Sequence, residues 1–237
     1  DAVTLISEEF LAHPAAPRDL RSKSLILHSG SPLEAIRPMS KEEARAALGL
    51  RYPKGATVLG YVANFHLDER LLLEAFARVC DVRPDVYLLV AGADFDQSDP
   101  DLHRRTRGRI HHAGRQPFFR IGHFLGAADI LVLPLSDLAI DRARYPHKLS
   151  DYVAAGRPVV SCDVGETGRL LRRYEFGHLT PATPVGFAEG MLHLIDRREQ
   201  WADLGTATRQ AAERHFSWDT LCDRLFGFLR EQLAVDL

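Results

Sequence analysis

Short runs of branched apolar residues recur along the middle of the chain, with longer segments between them. Because these runs are continuously hydrophobic rather than alternating, they predict strands covered on both faces, as in a parallel sheet. The predicted strands are TVLGYVA (57–63), DVYLLVAG (85–92), RIHHAG (109–114), DILVLP (129–134), RPVVSC (157–162) and FGHLT (176–180).

The segments between the strands have apolar residues at i, i+3 and i+4, the spacing of a helix with one buried stripe. This pattern predicts helices over 68–80, 118–128 and 147–155. Strands that alternate with helices of this length predict an α/β fold with a doubly wound, Rossmann-like parallel sheet.

Both ends of the chain differ from this pattern. Near the amino end, AVTLI and SLILHSG predict two strands, and Ser40 predicts a helix start with Glu43 at the capping-box position. Beyond about residue 198 the pattern is helical, and Ser217 is the predicted N-cap of the last helix. The sheet domain is therefore expected to carry extra terminal helices.

The bulk properties exclude several classes of protein. With 30 Lys and Arg against 32 Asp and Glu, the net charge of −2 gives no reason to expect a nucleic-acid partner. Three widely spaced cysteines favour neither a disulfide framework nor a zinc site. No apolar run approaches the length of a membrane span, so we expect a cytoplasmic protein with at most peripheral membrane contact.

The segment RARYPHKLSDYVAAGRPVV contains the clearest candidate chemistry. It follows a predicted strand, and ligands of open parallel sheets bind at the carboxyl ends of strands. A helix amino end with Lys148 favours an anion there, and Asp151, one turn later, could accept hydrogen bonds from a ribose diol. The spacing is equally typical of a solvated surface ion pair, so both interpretations stay open at this point.

The string from DILVLP through PHKLSDYVAAGRPVVS resembles the signature region of group 1 glycosyltransferases with the GT-B fold, P-x-K-L-x-E-Y-x-A-x-G-x-P-V-V. HSGSPLEAIRP resembles the linker before their C-terminal domain, and ERHFSWDTLCDRLFGFL resembles their crossing helix. The resemblance implies that 1–36 is the end of an N-terminal domain with its linker. Residues 37–215 would form the Rossmann-like nucleotide-sugar-binding domain and 216–237 the C-terminal crossing helix.

The resemblance also implies roles for the residues of the motif. Asp151 stands where the family usually has a glutamate that contacts the donor ribose. Lys148, with the backbone amides of His147, Lys148 and Leu149, would face the diphosphate. Because aspartate is one methylene shorter than glutamate, the helix must lie closer to the ribose or a water must intervene.

Four further positions are donor-binding candidates by the same resemblance. Arg115 and Gln116 lie in the loop that resembles the base-binding segment. Tyr145 would stack or hydrogen-bond near the donor, or else be buried beneath its loop. Glu166, in GETGRLL, would contact a donor hydroxyl or serve as an acid in a helix first turn.

The chain departs from the family pattern at two places. Many relatives have a second glutamate, near the donor sugar, eight residues before the ribose-binding residue. Here Ala143 occupies that position, and the nearby acid, Asp141, is a further donor-binding candidate. Relatives often have an arginine and a lysine for the leaving diphosphate after the first strand. The corresponding residues 64–70 contain Asn64, a further donor-binding candidate, and one cation, Arg70.

The resemblance implies transfer of a sugar from a UDP- or GDP-linked donor to a hydroxyl of a glycan or other acceptor, with retained configuration and without metal or cofactor, in polysaccharide or glycoconjugate synthesis. An N-terminal domain in cis or trans would complete the site, and no residue is assigned as catalytic. His111 and His112 would point to opposite faces of a strand, which does not favour a metal site. The alternative is a non-catalytic nucleotide-binding or scaffolding module of the same fold.

Overall fold

A computed structural model describes residues 1–64, 68–92 and 98–233. Its strands confirm the predicted strand pattern to within two residues at most ends. They are β1 (Val3–Leu5), β2 (Ser24–Ile26), β3 (Thr57–Ala63), β4 (Val86–Gly92), β5 (Ile110–His112), β6 (Ile130–Leu133), β7 (Val159–Cys162) and β8 (Gly177–Thr180).

The helices predicted over 68–80, 118–128 and 147–155 are confirmed to within two residues at each end, and the structure adds helices that the apolar spacing did not predict, among them Gly165–Tyr174 and Pro184–Ile195. The helices are α1 (Glu9–Ala12), α2 (Lys41–Leu48), α3 (Glu69–Val82), α4 (Pro100–Arg105), α5 (Phe118–Ala127), α6 (Ala139–Ala143), α7 (Lys148–Ala154), α8 (Gly165–Tyr174), α9 (Pro184–Ile195), α10 (Trp201–Ala211) and α11 (Trp218–Leu233). A π-helical turn, Ala212–Phe216, joins the last two.

Six strands form one fully parallel sheet in the order β5-β4-β3-β6-β7-β8. The chain builds one half outward from β3, then crosses back and builds the other half outward from β6. This is the predicted doubly wound, Rossmann-like fold. The carboxyl ends of β3 and β6 flank the point where the winding direction reverses, which is where such sheets bind ligands.

Burial on both faces of the sheet explains why the strands are continuously hydrophobic in the sequence. Every residue of β6 is buried, as are six of the seven residues of β3, because helices cover both faces of the sheet. On α3, Leu72, Phe76 and Val79 are fully buried, as the helical spacing predicts. Burial of this apolar surface is the main favourable contribution to folding.

The two ends of the chain form local structure outside the six-stranded sheet. β1 and β2 form a separate two-stranded parallel sheet. Ser40 Oγ accepts a hydrogen bond from the Glu43 amide at 3.1 Å, and Ser217 Oγ accepts one from the Thr220 amide at 3.1 Å. Both predicted N-caps are therefore confirmed. The division into 1–36, 37–215 and 216–237 stays a prediction.

Across the described ranges, we find no helix that combines the length and the apolar character that a membrane span requires. The predicted cytoplasmic location stays a prediction. Cys80, Cys162 and Cys222 are free thiols, so none of the three takes part in a disulfide.

Candidate functional site

A cavity of about 560 Å³ opens at the carboxyl ends of β3 and β4, and we call it the strand-end cavity. Its walls are the last residues of these strands, the beginning of α5, and the loop from Arg144 into α7. The volume falls within the range of small-molecule sites, about 300–1,000 Å³. The loop after β6 thus brings the predicted PHKLSDY segment to the edge of the sheet where ligands bind.

Lys148, the first residue of α7, contributes a positive charge to this cavity. Its Nζ lies 4.7 Å from the centroid of the Tyr61 ring and 3.4 Å from Tyr61 Oη. Among the described residues, Lys148 forms no ion pair with a carboxylate. Burial, with repulsion from Arg144, lowers the pKa of Lys148 from 10.5 to about 8, so at neutral pH the ammonium group is charged but poorly solvated.

Asp151 lines the same cavity one turn further along α7. Its Oδ1 accepts a hydrogen bond from Ser31 Oγ at 2.8 Å, whereas no described residue donates to Oδ2. Burial raises the pKa of Asp151 to about 6, although the Ser31 hydrogen bond acts in the opposite direction. Lys148 and Asp151 are half-buried and do not pair with each other, so they are not a solvated surface ion pair.

Arg144 is a second cation at this cavity, and it was not predicted from the sequence. Its Nε donates to Asp141 Oδ1 at 2.6 Å and its Nη2 to Asp68 Oδ2 at 3.0 Å. The other oxygen of Asp68 accepts from the amide and hydroxyl of Ser136, at 2.9 and 2.6 Å. Two carboxylates thus fix one edge of the guanidinium, and no described residue accepts from Nη1.

The predicted role of Asp141 changes accordingly. The Asp141 side chain is 3% exposed and forms an ion pair with Arg144. It does not line the cavity. Burial, reinforced by the nearby charge of Asp68, raises the pKa of Asp141. Arg70, the one cation expected after the first strand, is 73% exposed and pairs with Glu74 at 2.7 Å. Residues 65–67 of that segment lie outside the described residues.

Two further donor-binding candidates line the strand-end cavity: Gln116, from the loop expected near the base, and Asn64, from the segment expected near the leaving diphosphate. The half-exposed ring of Phe118 lines it too. Gln116 Nε2 donates to the Ala113 carbonyl at 2.6 Å, which fixes the side chain at the end of β5. Arg115 is exposed and does not line the cavity, contrary to expectation.

The backbone amides at the start of α7 only partly fit the expected diphosphate site. The Leu149 amide donates to the Pro146 carbonyl at 2.8 Å, and the Leu149 side chain is fully buried in the core. Leu149 is therefore not available to a ligand. His147 is exposed and lines the cavity. Tyr145 lines it too, but its hydroxyl is hydrogen-bonded to Ser150 Oγ at 2.6 Å, so burial beneath the loop is the better description.

Glu166 lies outside the strand-end cavity. Its Oε1 is 2.8 Å from His28 Nε2, and its Oε2 accepts from the Glu8 amide at 3.0 Å and from Arg169 Nε at 3.1 Å. Burial alone would raise the pKa of Glu166, but these donors lower it to about 2. The side chain is therefore an ionised link between α8 and the segments around β1 and β2, rather than a contact to a donor hydroxyl.

The described residues contain no group of three His, Cys, Asp or Glu side chains that could hold a metal ion. His111 and His112 lie in β5, as predicted; His111 is exposed and His112 half-buried. Among the described residues, the charged side chains that line the strand-end cavity are Lys148, Arg144 and Asp151. This set matches the chemistry of an anion attached to a polyol.

The fold and this cavity define an α/β domain of the Rossmann class with a cavity at its strand ends that Lys148, Arg144 and Asp151 line. Residues 56–197 match the family described as "Glycosyl transferases group 1", and the chain belongs to that family. The resemblance noted in the sequence is thereby confirmed.

Two curated relatives illustrate the sequence similarity. "Spore coat protein SA" of Bacillus subtilis (strain 168) is 24% identical over 223 residues, which are 87% of this chain and 58% of that protein. "Phosphatidyl-myo-inositol mannosyltransferase" of Mycobacterium tuberculosis (strain ATCC 25618 / H37Rv) is 28% identical over 192 residues, 73% of this chain and 47% of that protein. The chain spans about half the length of these relatives.

Solved structures confirm the GT-B fold. Anabaena Alr3699/HepE, in complex with UDP and glucose, gives a TM-score of 0.76 at 18% identity and covers 99% of this chain and 63% of its own. Sucrose-phosphate synthase from Thermosynechococcus elongatus gives a TM-score of 0.75 at 21% identity, and the match covers 100% of this chain and 59% of that one. The C-terminal domain of a group 1 glycosyl transferase (LpcC) from Francisella tularensis gives 0.61 at 15%, covering 80% of this chain and all of that one.

Proposed function

We propose that this chain is the donor-binding part of a glycosyltransferase that moves a sugar from a UDP- or GDP-linked donor to an acceptor hydroxyl. The observation that carries the proposal is the convergence of Lys148, Arg144 and Asp151 on one cavity at the strand ends. Family membership supports a transferase over a non-catalytic module. The complex of Anabaena Alr3699/HepE with UDP and glucose supports a nucleotide-sugar donor.

In this proposal Lys148 and Arg144 bind the diphosphate. Negative charge builds on the leaving phosphate oxygens as the glycosidic bond breaks, and preorganised cations stabilise it most strongly in a site with little water. Asp68 and Asp141 hold the guanidinium in one orientation, so that Nη1 is presented without reorganisation. Arg144 would take the place of the arginine that relatives often have after the first strand. The transfer would then need no metal and no cofactor.

Asp151 would bind the ribose. Its Oδ1 is positioned by Ser31, and Oδ2 is free to accept from a hydroxyl. Since the pKa of Asp151 is about 6, the carboxylate is mostly ionised at neutral pH and protonates under mild acid. Nucleotide affinity should therefore fall as the pH falls through 6.

The remaining parts of the donor would occupy the rest of the cavity. Gln116 would contact the base, whereas Asn64 and His147 would lie beside the diphosphate, and all three residues line the cavity. Retention of configuration is part of the proposal through the family resemblance. The acceptor would bind mainly to an N-terminal domain, in cis or trans, and the product would belong to polysaccharide or glycoconjugate synthesis.

The proposal is tested by calorimetric titration of the chain with UDP, GDP and ADP, with and without EDTA. We expect one nucleotide to bind and its affinity to survive EDTA. Lys148→Ala should weaken binding by about 1–3 kcal/mol, the range for a charge-assisted hydrogen bond, whereas Lys54→Ala, at an exposed loop lysine, should not. Equal affinities in both variants would contradict the proposed site.

A further inference from the structure

A second cavity, of about 460 Å³, lies between α8, the π-helical turn and α11, and β2 forms another wall. We call it the arginine cavity, because Arg169, Arg173 and Arg224 line it together with His215. The contact between His28 and Tyr145, whose ring centroids are 4.8 Å apart, separates it from the strand-end cavity. Nothing in the proposed donor site accounts for these cations.

One wall of the arginine cavity contains an ion pair, in which Glu166 Oε2 accepts from Arg169 Nε at 3.1 Å. Glu166 is 3% exposed and bonded to His28, to Arg169 Nε and to the Glu8 amide. The carboxylate of Glu166 is therefore already paired with residues of this wall. The Nη2 of Arg169 is buried and donates no hydrogen bond to any described residue, while Glu9 Oε2 lies 3.6 Å away. A buried guanidinium nitrogen without an acceptor is costly unless a ligand supplies one.

The outer cations lack carboxylate partners. Neither Arg173 nor Arg224 has a carboxylate oxygen within 4 Å among the described residues. Arg224 Nη2 donates to the Ile26 carbonyl at 3.0 Å, and the Arg173 guanidinium lies 5.4 Å from the centroid of the Tyr174 ring. Both groups keep donors for a further acceptor, since a guanidinium has five N–H groups.

The electrostatics of His215 agree with this excess of positive charge. The ring stacks on Tyr174 with centroids 4.3 Å apart. Burial lowers the pKa of His215, and repulsion from Arg173, Arg224 and Arg214 lowers it further. Two acidic side chains line the cavity: Glu166, which is bonded within the wall, and Glu8, which is exposed and forms no ion pair with a described residue.

We propose that the arginine cavity is a binding site for a small phosphorylated molecule, with Arg169, Arg173 and Arg224 holding its phosphate monoester. Guanidinium groups match phosphate oxygens with paired, charge-assisted hydrogen bonds. A cavity of 460 Å³ leaves room for a polyol beyond the phosphate. The proposal does not depend on nucleotide binding in the strand-end cavity.

The test is a titration of the chain with glucose 6-phosphate and, separately, with inorganic phosphate. The readout is NMR of the His215 ring, assigned through His215→Gln, because His215 lines the arginine cavity and does not line the strand-end cavity. We expect saturable shifts and tighter binding of glucose 6-phosphate. Arg173→Ala should weaken binding about tenfold or more. Arg172→Ala is the matched control: Arg172 is the preceding residue on α8, pairs with Asp163 and does not line the cavity.

Two further variants sharpen the test. Glu8→Gln removes the opposing carboxylate and should tighten binding. Lys148→Met changes the strand-end cavity and should leave the His215 response unchanged, which separates this proposal from the proposed donor site. The proposal is overturned by an absence of saturable shifts, by equal losses in Arg173→Ala and Arg172→Ala, or by tighter binding of inorganic phosphate than of glucose 6-phosphate.

Discussion

Replacing Lys148 by methionine should stabilise the free protein and weaken nucleotide binding. Methionine has a similar unbranched length and keeps the apolar contact with the Tyr61 ring, but it has no charge. The ammonium group in the folded chain is poorly solvated, and it has no carboxylate partner among the described residues. A residue kept for binding rather than for stability has this signature of opposite effects.

The magnitude follows from the pKa of Lys148. Its decrease from 10.5 to about 8 corresponds to about 3 kcal/mol of cost for the charged form. The cation–π contact with Tyr61 returns about 0.5–2 kcal/mol, which the variant loses. We therefore expect Lys148→Met to be more stable by about 1–3 kcal/mol at pH 7, a rise in Tm of about 2–4 °C per kcal/mol.

The pH dependence has a defined sign. Between pH 8 and 10.5 the unfolded chain binds more protons at Lys148 than the folded chain does, so the wild type gains stability as the pH rises through this window. Below pH 8 the folded chain keeps Lys148 charged, and the full free-energy cost of burying this charge is present. The advantage of Lys148→Met should therefore shrink from pH 7 to pH 10.

Urea denaturation at pH 7 and pH 10 measures the stability, and calorimetry with the nucleoside diphosphate measures the affinity. Affinity should fall about 5- to 150-fold, equivalent to about 1–3 kcal/mol. The exposed Lys54→Met serves as the control and should change neither quantity. A destabilised Lys148→Met variant with unchanged affinity would refute the assignment of this charge to ligand binding.

Three further predictions concern the acidic residues. Asp151→Asn should reduce the preference for a ribonucleotide over its 2′-deoxy analogue and make the loss of affinity below pH 6 smaller than in the wild type, as calorimetry across pH will show. Asp141→Asn should loosen Arg144 and weaken binding of the nucleoside diphosphate about tenfold while leaving nucleoside binding unchanged, which two parallel titrations compare. Glu166→Gln should destabilise the fold by about 1–3 kcal/mol at pH 7 without changing nucleotide affinity. Because the pKa of Glu166 is about 2, this stabilisation in the wild type should be lost between about pH 4.5 and pH 2, which acid denaturation measures.

The strands could be predicted because two-sided burial leaves a direct trace in the sequence. β3 was predicted at both boundaries, 57–63, since nearly every position faces a helix layer. The N-caps at Ser40 and Ser217 were predicted for a similar reason, because a cap depends on neighbouring residues alone. The position of Lys148 and Asp151 at the strand ends follows from the fold once the strands are known.

Arg144 could not be predicted in this way. Its orientation depends on Asp68, which is 76 positions away in the chain, and no spacing or periodicity joins the two residues. The carboxyl group of Asp141 was predicted to face a donor, whereas in the structure it is buried and accepts a hydrogen bond from the Arg144 guanidinium. The backbone amide of Leu149 was expected to face the diphosphate, but it donates to the Pro146 carbonyl in the tight turn at the start of α7. Electrostatic networks of this kind become visible only when tertiary structure brings the groups together.

The most direct test of the account is a crystal structure of the chain with the nucleoside diphosphate that binds best in calorimetry. We predict the diphosphate within hydrogen-bonding distance of Lys148 Nζ and Arg144 Nη1, and the ribose hydroxyls on Asp151 Oδ2. A nucleotide bound elsewhere, or one bound in the strand-end cavity with its phosphates directed away from both cations, would contradict the proposed donor site.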